Sequence, residues 1–201
     1  MIRGHFTVSP SPLSKLGLAV ESLKNVLLER AIMHGNFKLS SGGHSTFYIN
    51  CRKASMSYDG MVAIGNCIVN YVVANGLNVG VIAGPEAAGI PLVSAALMVG
   101  HPSSYRFNGC FVRKGIREHG TKNMIEGHMP TSADRVLLVE DVVTKGDSVI
   151  RALDEVRLTG ATVVGVVALV DRLEGAGEKI LGTGVPFAAF HDLTTLGLVG
   201  T

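Results

Sequence analysis

The residues of this chain best equipped for chemistry lie together in V-L-L-V-E-D-V-V-T-K-G-D-S, residues 136–148. Glu140 and Asp141 are adjacent carboxylates, able to accept hydrogen bonds from the vicinal hydroxyls of a sugar. Thr144, Gly146 and Ser148 then supply two hydroxyls and a flexible main chain. The spacing of Val149, Leu153 and Val156 predicts a helix that begins near Ser148. Main-chain N–H groups converge where a helix starts, and such a start binds anions. An acid pair followed at once by an anion site suits a phosphorylated sugar. Asp147 is the discordant residue, because facing inward it would repel a phosphate dianion. It is expected to point to solvent, with Lys145 partly offsetting its charge.

Other elements must position this segment. The apolar run 136–139 suits a central parallel strand covered on both faces, with Glu140 and Asp141 at its carboxyl end, where open α/β sheets bind ligands. Residues 79–83 read as a second buried strand and 90–99 as a helix. The intervening Gly84-Pro-Glu-Ala-Ala-Gly-Ile-Pro91 is a strand-to-helix turn and a second backbone anion site, centred on Ala87 and Ala88. Residues 112–127 hold Arg113, Lys114, Arg117, His119 and Lys122 without helical or strand periodicity, which predicts a long functional loop. Helices are expected over 13–33, 58–75 and 149–159. Extended chain is expected over 37–51 and 105–113, and strands over 162–170 and around 186–190. This alternation implies an α/β fold with a mostly parallel central sheet flanked by helices.

With 201 residues, 47% of them hydrophobic, the chain suits a single domain. Residues from about 1 to 52 are expected to form a small N-terminal hood, and those from about 53 to 201 the core. A net charge of +2 argues against nonspecific nucleic-acid binding. Cys51, Cys67 and Cys110 are odd in number and lack any C-x-x-C pair, which favours packing roles in a reducing cytoplasm over disulfides or zinc. The first twenty residues contain Pro10, Pro12 and Lys15 and do not read as a targeting segment. Residues 79–100 are apolar, but Gly84-Pro85-Glu86 and Pro91 interrupt them, so no membrane span is expected. Neither G-x-x-x-x-G-K-[ST] nor a strand-linked G-x-G-x-x-G occurs, and P-loop and dinucleotide folds are not indicated.

Residues 136–148 closely resemble the phosphoribosyl pyrophosphate (PRPP) motif of type I phosphoribosyltransferases. That resemblance implies their fold, with Glu140 and Asp141 on the ribose hydroxyls and Val142, Val143, Thr144, Lys145, Gly146, Asp147 and Ser148 around the 5′-phosphate. Three further segments are similar to orotate phosphoribosyltransferases, in collinear order from about 37 to 174. Arg113-Lys-Gly-Ile-Arg-Glu-His-Gly120 matches the family's catalytic loop, R-K-x-x-[KR]-x-H-G. Residues 37–42 with 47–52 resemble its N-terminal orotate region, and Asp171-Arg-Leu-Glu174 its D-R-x-E.

The resemblance implies ribosyl phosphate transfer from PRPP to N1 of orotate, with Arg117, His119 and Asp141 as catalytic residues. It places Arg113, Lys114, Arg117, His119, Ala87 and Ala88 toward PRPP, and Ser40, Tyr48, Thr144 and Arg172 toward orotate. Ser40 and Ala88 stand where several members carry lysine. Mg²⁺ is expected to arrive mainly through PRPP, without a dedicated protein cage. A homodimer whose catalytic loops cross into the neighbouring site is implied, acting in the cytoplasm without nucleic acid or membrane. A purine or uracil phosphoribosyltransferase would share the PRPP motif but lack the D-R-x-E and catalytic-loop pair. A noncatalytic PRPP-sensing regulator would want a basic DNA-binding segment, for which residues 1–35 are too short and too weakly charged.

Overall fold

The computed structural model describes residues 11–38, 43–101, 105–115 and 123–198. Ser11 opens α1 (Pro12–Val26) because its hydroxyl accepts the Ser14 N–H, and Pro12 sits where a missing N–H costs nothing. The helix loosens into a π-helical turn (Leu27–Ala31) and then turns into β1 (Ile32–Lys38), which pairs antiparallel with β2 (His44–Ile49). The helix expected over 13–33 therefore stops short. Ile32 and Met33 suit a helical period, yet they pair with Ile49 and Tyr48, and the tertiary partner decides. A short helix, α2 (Cys51–Ser55), leads to α3 (Tyr58–Ala74), which Ser57 caps by accepting the Gly60 N–H.

The main sheet has six strands in the order β5-β4-β3-β6-β7-β8. Strands β3 (Val81–Pro85), β4 (Asn108–Val112), β6 (Arg135–Val143), β7 (Thr162–Asp171) and β8 (Phe187–Asp192) run parallel. The edge strand β5 (Ile125–Gly127) pairs antiparallel with β4. The charged stretch expected to be one long loop is thus anchored at both ends, by Val112 in β4 and Ile125 in β5. The remaining helices are α4 (Gly89–Gly100), α5 (Asp147–Leu158) and α6 (Ala176–Leu181).

Both faces of the sheet are covered. Leu137 and Val139 point toward a core shared with α1, α3 and α4, including Leu23, Ile64, Ile68 and Leu92. Val136 and Leu138 point the other way, against Val149, Leu153 and Val156 of α5 and Ile180 of α6. Strand alternation divides the run between the two layers. Truncating a fully buried member such as Leu137 to alanine would cost about 2–5 kcal/mol. No helix among the described residues is long and apolar enough to cross a membrane.

From β3 the chain crosses outward through α4 to β4, whereas from β6 it crosses through α5 to β7 on the other side. The order therefore reverses between β3 and β6. In a parallel sheet such a reversal opens a crevice beyond the strand ends, and ligands bind there. Pairing between these strands ends at Ala83 with Leu138.

Candidate active site

Beyond Leu138, strand β6 continues to Val143, because β7 alone keeps pairing with it through Val143 and Asp171. Glu140 and Asp141 accordingly lie within the strand, and its carboxyl end falls later than the apolar run suggests. Alternation aims the two carboxylates at opposite layers. Glu140 shares its face with Leu138 and meets α5, where Ser148 Oγ donates to Glu140 Oε2 at 3.0 Å. Asp141 shares its face with Val139 and meets α2, where Cys51 Sγ lies 4.0 Å from the Asp141 carbonyl oxygen. Main-chain N–H groups support both acids: Asp141 N donates to Glu140 Oε1 at 3.2 Å and Val142 N to Asp141 Oδ1 at 2.7 Å.

Burial dominates the electrostatics of the pair. Removal from water disfavours the charged form, and a neighbouring carboxylate adds to this. Glu140, only 4% exposed, is pushed up to about 8, first by burial and then by Asp141. Asp141 is raised as well, chiefly by burial, while hydrogen bonding with the Val142 N–H and Glu140, and then the charge of Arg52, pull it back.

After Val143 the chain turns at Gly146, whose φ of +79° lies in the left-handed region. The turn is braced from outside the motif, as Ala176 N at the start of α6 donates to the Thr144 carbonyl at 3.1 Å. No acceptor among the described residues takes the main-chain N–H groups of Lys145, Gly146, Asp147 or Ser148, which open α5 as an anion site. Asp147 faces solvent as expected, yet its principal partner is Lys179 of α6. Hydrogen bonding and charge from Lys179 hold it below the usual carboxylate range, with Lys145 contributing less.

The second wall comes from β3. A Cβ at Gly84 would lie 2.7 Å from the Val139 carbonyl oxygen, so only glycine lets this turn cross so close to β6. The Glu86–Ala87 peptide is cis. Glu86 N donates to the Val112 carbonyl at 2.7 Å, and Glu86 Oε2 accepts the Lys114 N–H at 3.2 Å. These contacts bring Ala87, Ala88, Lys114, Glu140, Asp141 and Ser148 around a cavity of about 180 Å³, with Arg52 and Glu86 completing the wall.

Not every expected residue reaches this cavity. Arg113 pairs with Glu126 of β5 at 3.1 Å, its side chain 11% exposed and its Nε without an acceptor. Tyr48 stands on the β1–β2 hairpin, half exposed, with its ring centroid 5.7 Å from that of Phe37. Arg172 follows β7, and its main-chain N–H extends the ladder to the Val143 carbonyl at 3.0 Å. Its Nε lies 3.1 Å from Glu174 Oε1 but is not aligned as a hydrogen bond, which leaves a buried donor unmatched. Ser40, Arg117, His119 and Lys122 lie outside the described residues. Sequence reasoning overlooked Arg52, Glu86 and Lys179 as parts of the site. Arg52 ends a segment read only for the base, and Lys179 is distant in sequence from the turn it neutralises. Among the described residues no group of three or more His, Cys, Asp or Glu side chains could hold a metal ion.

A buried acid pair, an open helix start and a glycine-tight second loop at the reversal point of a parallel sheet define a type I phosphoribosyltransferase, and solved structures of that fold superpose on the chain. The chain belongs to the orotate phosphoribosyltransferase family. It is 34% identical to the orotate phosphoribosyltransferase of Sorangium cellulosum over 175 residues, covering 84% of this chain and 88% of that one. It is 39% identical to that of Pyrococcus horikoshii over 168 residues, covering 83% and 87%. The Mycobacterium tuberculosis orotate phosphoribosyltransferase in complex with PRPP superposes with a TM-score of 0.75 at 28% identity, over 90% of this chain and 99% of the other. No protein-family model matches the chain.

Proposed function

We propose that the acid pair, the α5 start and the β3–α4 turn together carry PRPP through the reaction of this family, reversible transfer of the ribosyl phosphate to N1 of orotate. The C1–O bond to diphosphate breaks, the C1–N1 bond forms, and diphosphate leaves with the electron pair. The observation that carries this reading is the cavity of about 180 Å³ at the reversal point, lined by both acids together with Ala87, Ala88 and Lys114. In it Glu140 and Asp141 hold the ribose hydroxyls, residues 144–148 the 5′-phosphate and Lys114 the diphosphate. Thr144, Tyr48 and Ser40 flank orotate. Arg172 offers its unmatched Nε to the orotate carboxylate, for which a planar fork of donors is suited.

The residues fit Mg²⁺ carried in by the substrate. Mg²⁺ is commonly bound through one or two carboxylates plus substrate phosphates, and β6 offers two carboxylates without a full protein cage. Glu140 and Asp141 are the residues that would hold it, and when bound it would supply positive charge to offset that of the diphosphate. Arg117 and His119 of the basic loop stabilise the departing diphosphate, and closure of that loop excludes water. No general base is required, since orotate can enter deprotonated at N1.

The working unit is a cytoplasmic homodimer in which each basic loop serves the neighbouring site. Dimers mixed from Arg117→Ala and Asp141→Asn chains should regain activity, because one of their two sites is intact. No recovery in verified heterodimers removes the sharing of sites. The primary test follows orotate absorbance with PRPP and Mg²⁺ present. Loss of the signal with release of diphosphate is expected, and an unchanged signal with folded protein overturns the assignment.

A further inference from the structure

The cavity presents its diphosphate side to a cation that neither the PRPP motif nor the basic loop contains. Position 88 is alanine, so this part of the β3–α4 turn offers main-chain groups and a methyl but no positive charge. Its neighbour Glu86 adds a negative group to the same wall, held by the Lys114 main-chain N–H. Among the described residues lining this cavity, Lys114 and Arg52 are the cationic ones set against Glu86 and the acid pair. Arg52 lines this cavity beside Ala87 and Ala88.

The backbone that carries Arg52 is held in place, while its side chain is exposed. Flanking it on α2, Cys51 is buried with its thiol toward the Asp141 carbonyl, and Ala54 and Ser55 are buried. Asn50 N donates to the Ala31 carbonyl at 2.8 Å, and Met56 N to the Arg52 carbonyl at 3.0 Å, which fixes both ends of the short helix. Whereas Arg30, Arg113, Arg172 and Lys179 each have a carboxylate within ion-pair distance, Arg52 has none among the described residues. Its field reaches Asp141 without a direct contact. An exposed guanidinium with no carboxylate partner among the described residues, on a residue lining the candidate anion cavity, is suited to bidentate phosphate contacts.

We propose that Arg52 binds the diphosphate of PRPP and of the product, and supplies from α2 the cation that the β3–α4 turn lacks at Ala88. This rests on the reading of the cavity as the PRPP site. It goes further in assigning diphosphate recognition to a residue of the segment between the hairpin and α3.

Calorimetry with inorganic diphosphate and Mg²⁺ tests the assignment without requiring turnover. Arg52→Ala should weaken diphosphate and PRPP about 10- to 100-fold, the loss of one charge-assisted contact, and leave ribose 5-phosphate unchanged. Arg52→Lys should recover part of the loss. Arg52→Ala combined with Ala88→Lys should recover more, because the new ammonium enters the same cavity, which both positions line. Unchanged diphosphate affinity in a folded Arg52→Ala protein overturns the proposal, as does equal weakening of ribose 5-phosphate or a rise confined to the KM for orotate. If wild-type protein binds diphosphate in an Arg52-dependent way but consumes no orotate, the assignment of Arg52 stands and the reaction assigned above fails.

Discussion

Both ends of the β6–α5 turn carry carboxylates, and the protein treats them in opposite ways. Glu140 and Asp141, on the strand side, are withdrawn from water and raised in pKa. Asp147, on the helix side, is exposed, lowered in pKa and held by Lys179. Position explains the difference. On the proposed function, acids that grip sugar hydroxyls line the cavity and bear the cost of burial, which a cation-loaded ligand would relieve. An acid beside a phosphate site must be turned out and neutralised, and α6 performs that task from about thirty residues away while also bracing Thr144.

Substitutions at the buried end should have the largest effect. Asp141→Asn and Glu140→Gln each keep the shape and remove the carboxyl group. Either should lower kcat/KM by about 10²- to 10³-fold while leaving the fold intact, as checked by circular dichroism alongside initial rates. Activity within a few-fold of wild type would remove the acid pair from the reaction.

The same burial carries a pH dependence of definite sign. The Glu140 carboxyl ordinarily titrates at 4.5 but is raised to about 8 when folded, so between these values the folded protein holds a proton that the unfolded chain has lost. Stability associated with Glu140 is present below about pH 4.5 and is lost as pH rises toward about 8. Thermal unfolding of the free enzyme should therefore give a falling Tm from pH 5 to pH 8, and Glu140→Gln should flatten that slope. An equally steep slope in the variant would show that the proton sits elsewhere.

These two ends were unequally legible in the sequence. The run 136–139 with its acids, turn and helix spacing marked the candidate site within residues 136–148, because strand, turn and helix start follow there from local chemistry. What the sequence did not disclose came from partners. Residues 140–143 remain strand only because β7 pairs with them, and a charged tail on an apolar run has no local mark of that. Ile32 and Met33 left the helical period for β1 because the hairpin offered Ile49 and Tyr48. β5 is three residues long, too short for any period to register. Lys179 and Arg52 were hidden for the same reason, since each acts on a segment far from it in sequence. Family resemblance reached Arg117, His119 and Ser40, which lie outside the described residues, and supplied roles for them that periodicity could not.

Between the two ends stands Gly146, and it tests whether the turn itself must be left-handed. Space is not the obstacle, as a Cβ there would meet Ala176 at an ordinary 3.5 Å. Gly146→Ala should thus cost only the conformational penalty of φ +79°, about 1–2 kcal/mol, visible as a Tm lower by several degrees. PRPP affinity should fall as well, since the freed N–H groups of residues 145–148 depend on that turn. A stability loss with unchanged affinity would separate the turn from the phosphate.

The smallest effect belongs to the exposed end, and its dependence on salt makes it informative. Lys179→Ala leaves Asp147 without its partner at the mouth of the anion site, while the pair is too exposed to matter for folding. Tm should be unchanged, and KM for PRPP should rise a few-fold at low ionic strength. Screening shortens the reach of an exposed charge from about 10 Å at 0.1 M salt to about 3 Å at 1 M, so the penalty should fade as salt is added. Adding Asp147→Asn to Lys179→Ala should abolish the penalty, since the repelling charge is gone. If KM rises equally at all salt concentrations, or the double variant is no better than the single, Lys179 acts through the packing of α6 against Thr144. In that case the two ends of the turn differ in burial alone, and neutralisation of Asp147 has no part in PRPP binding.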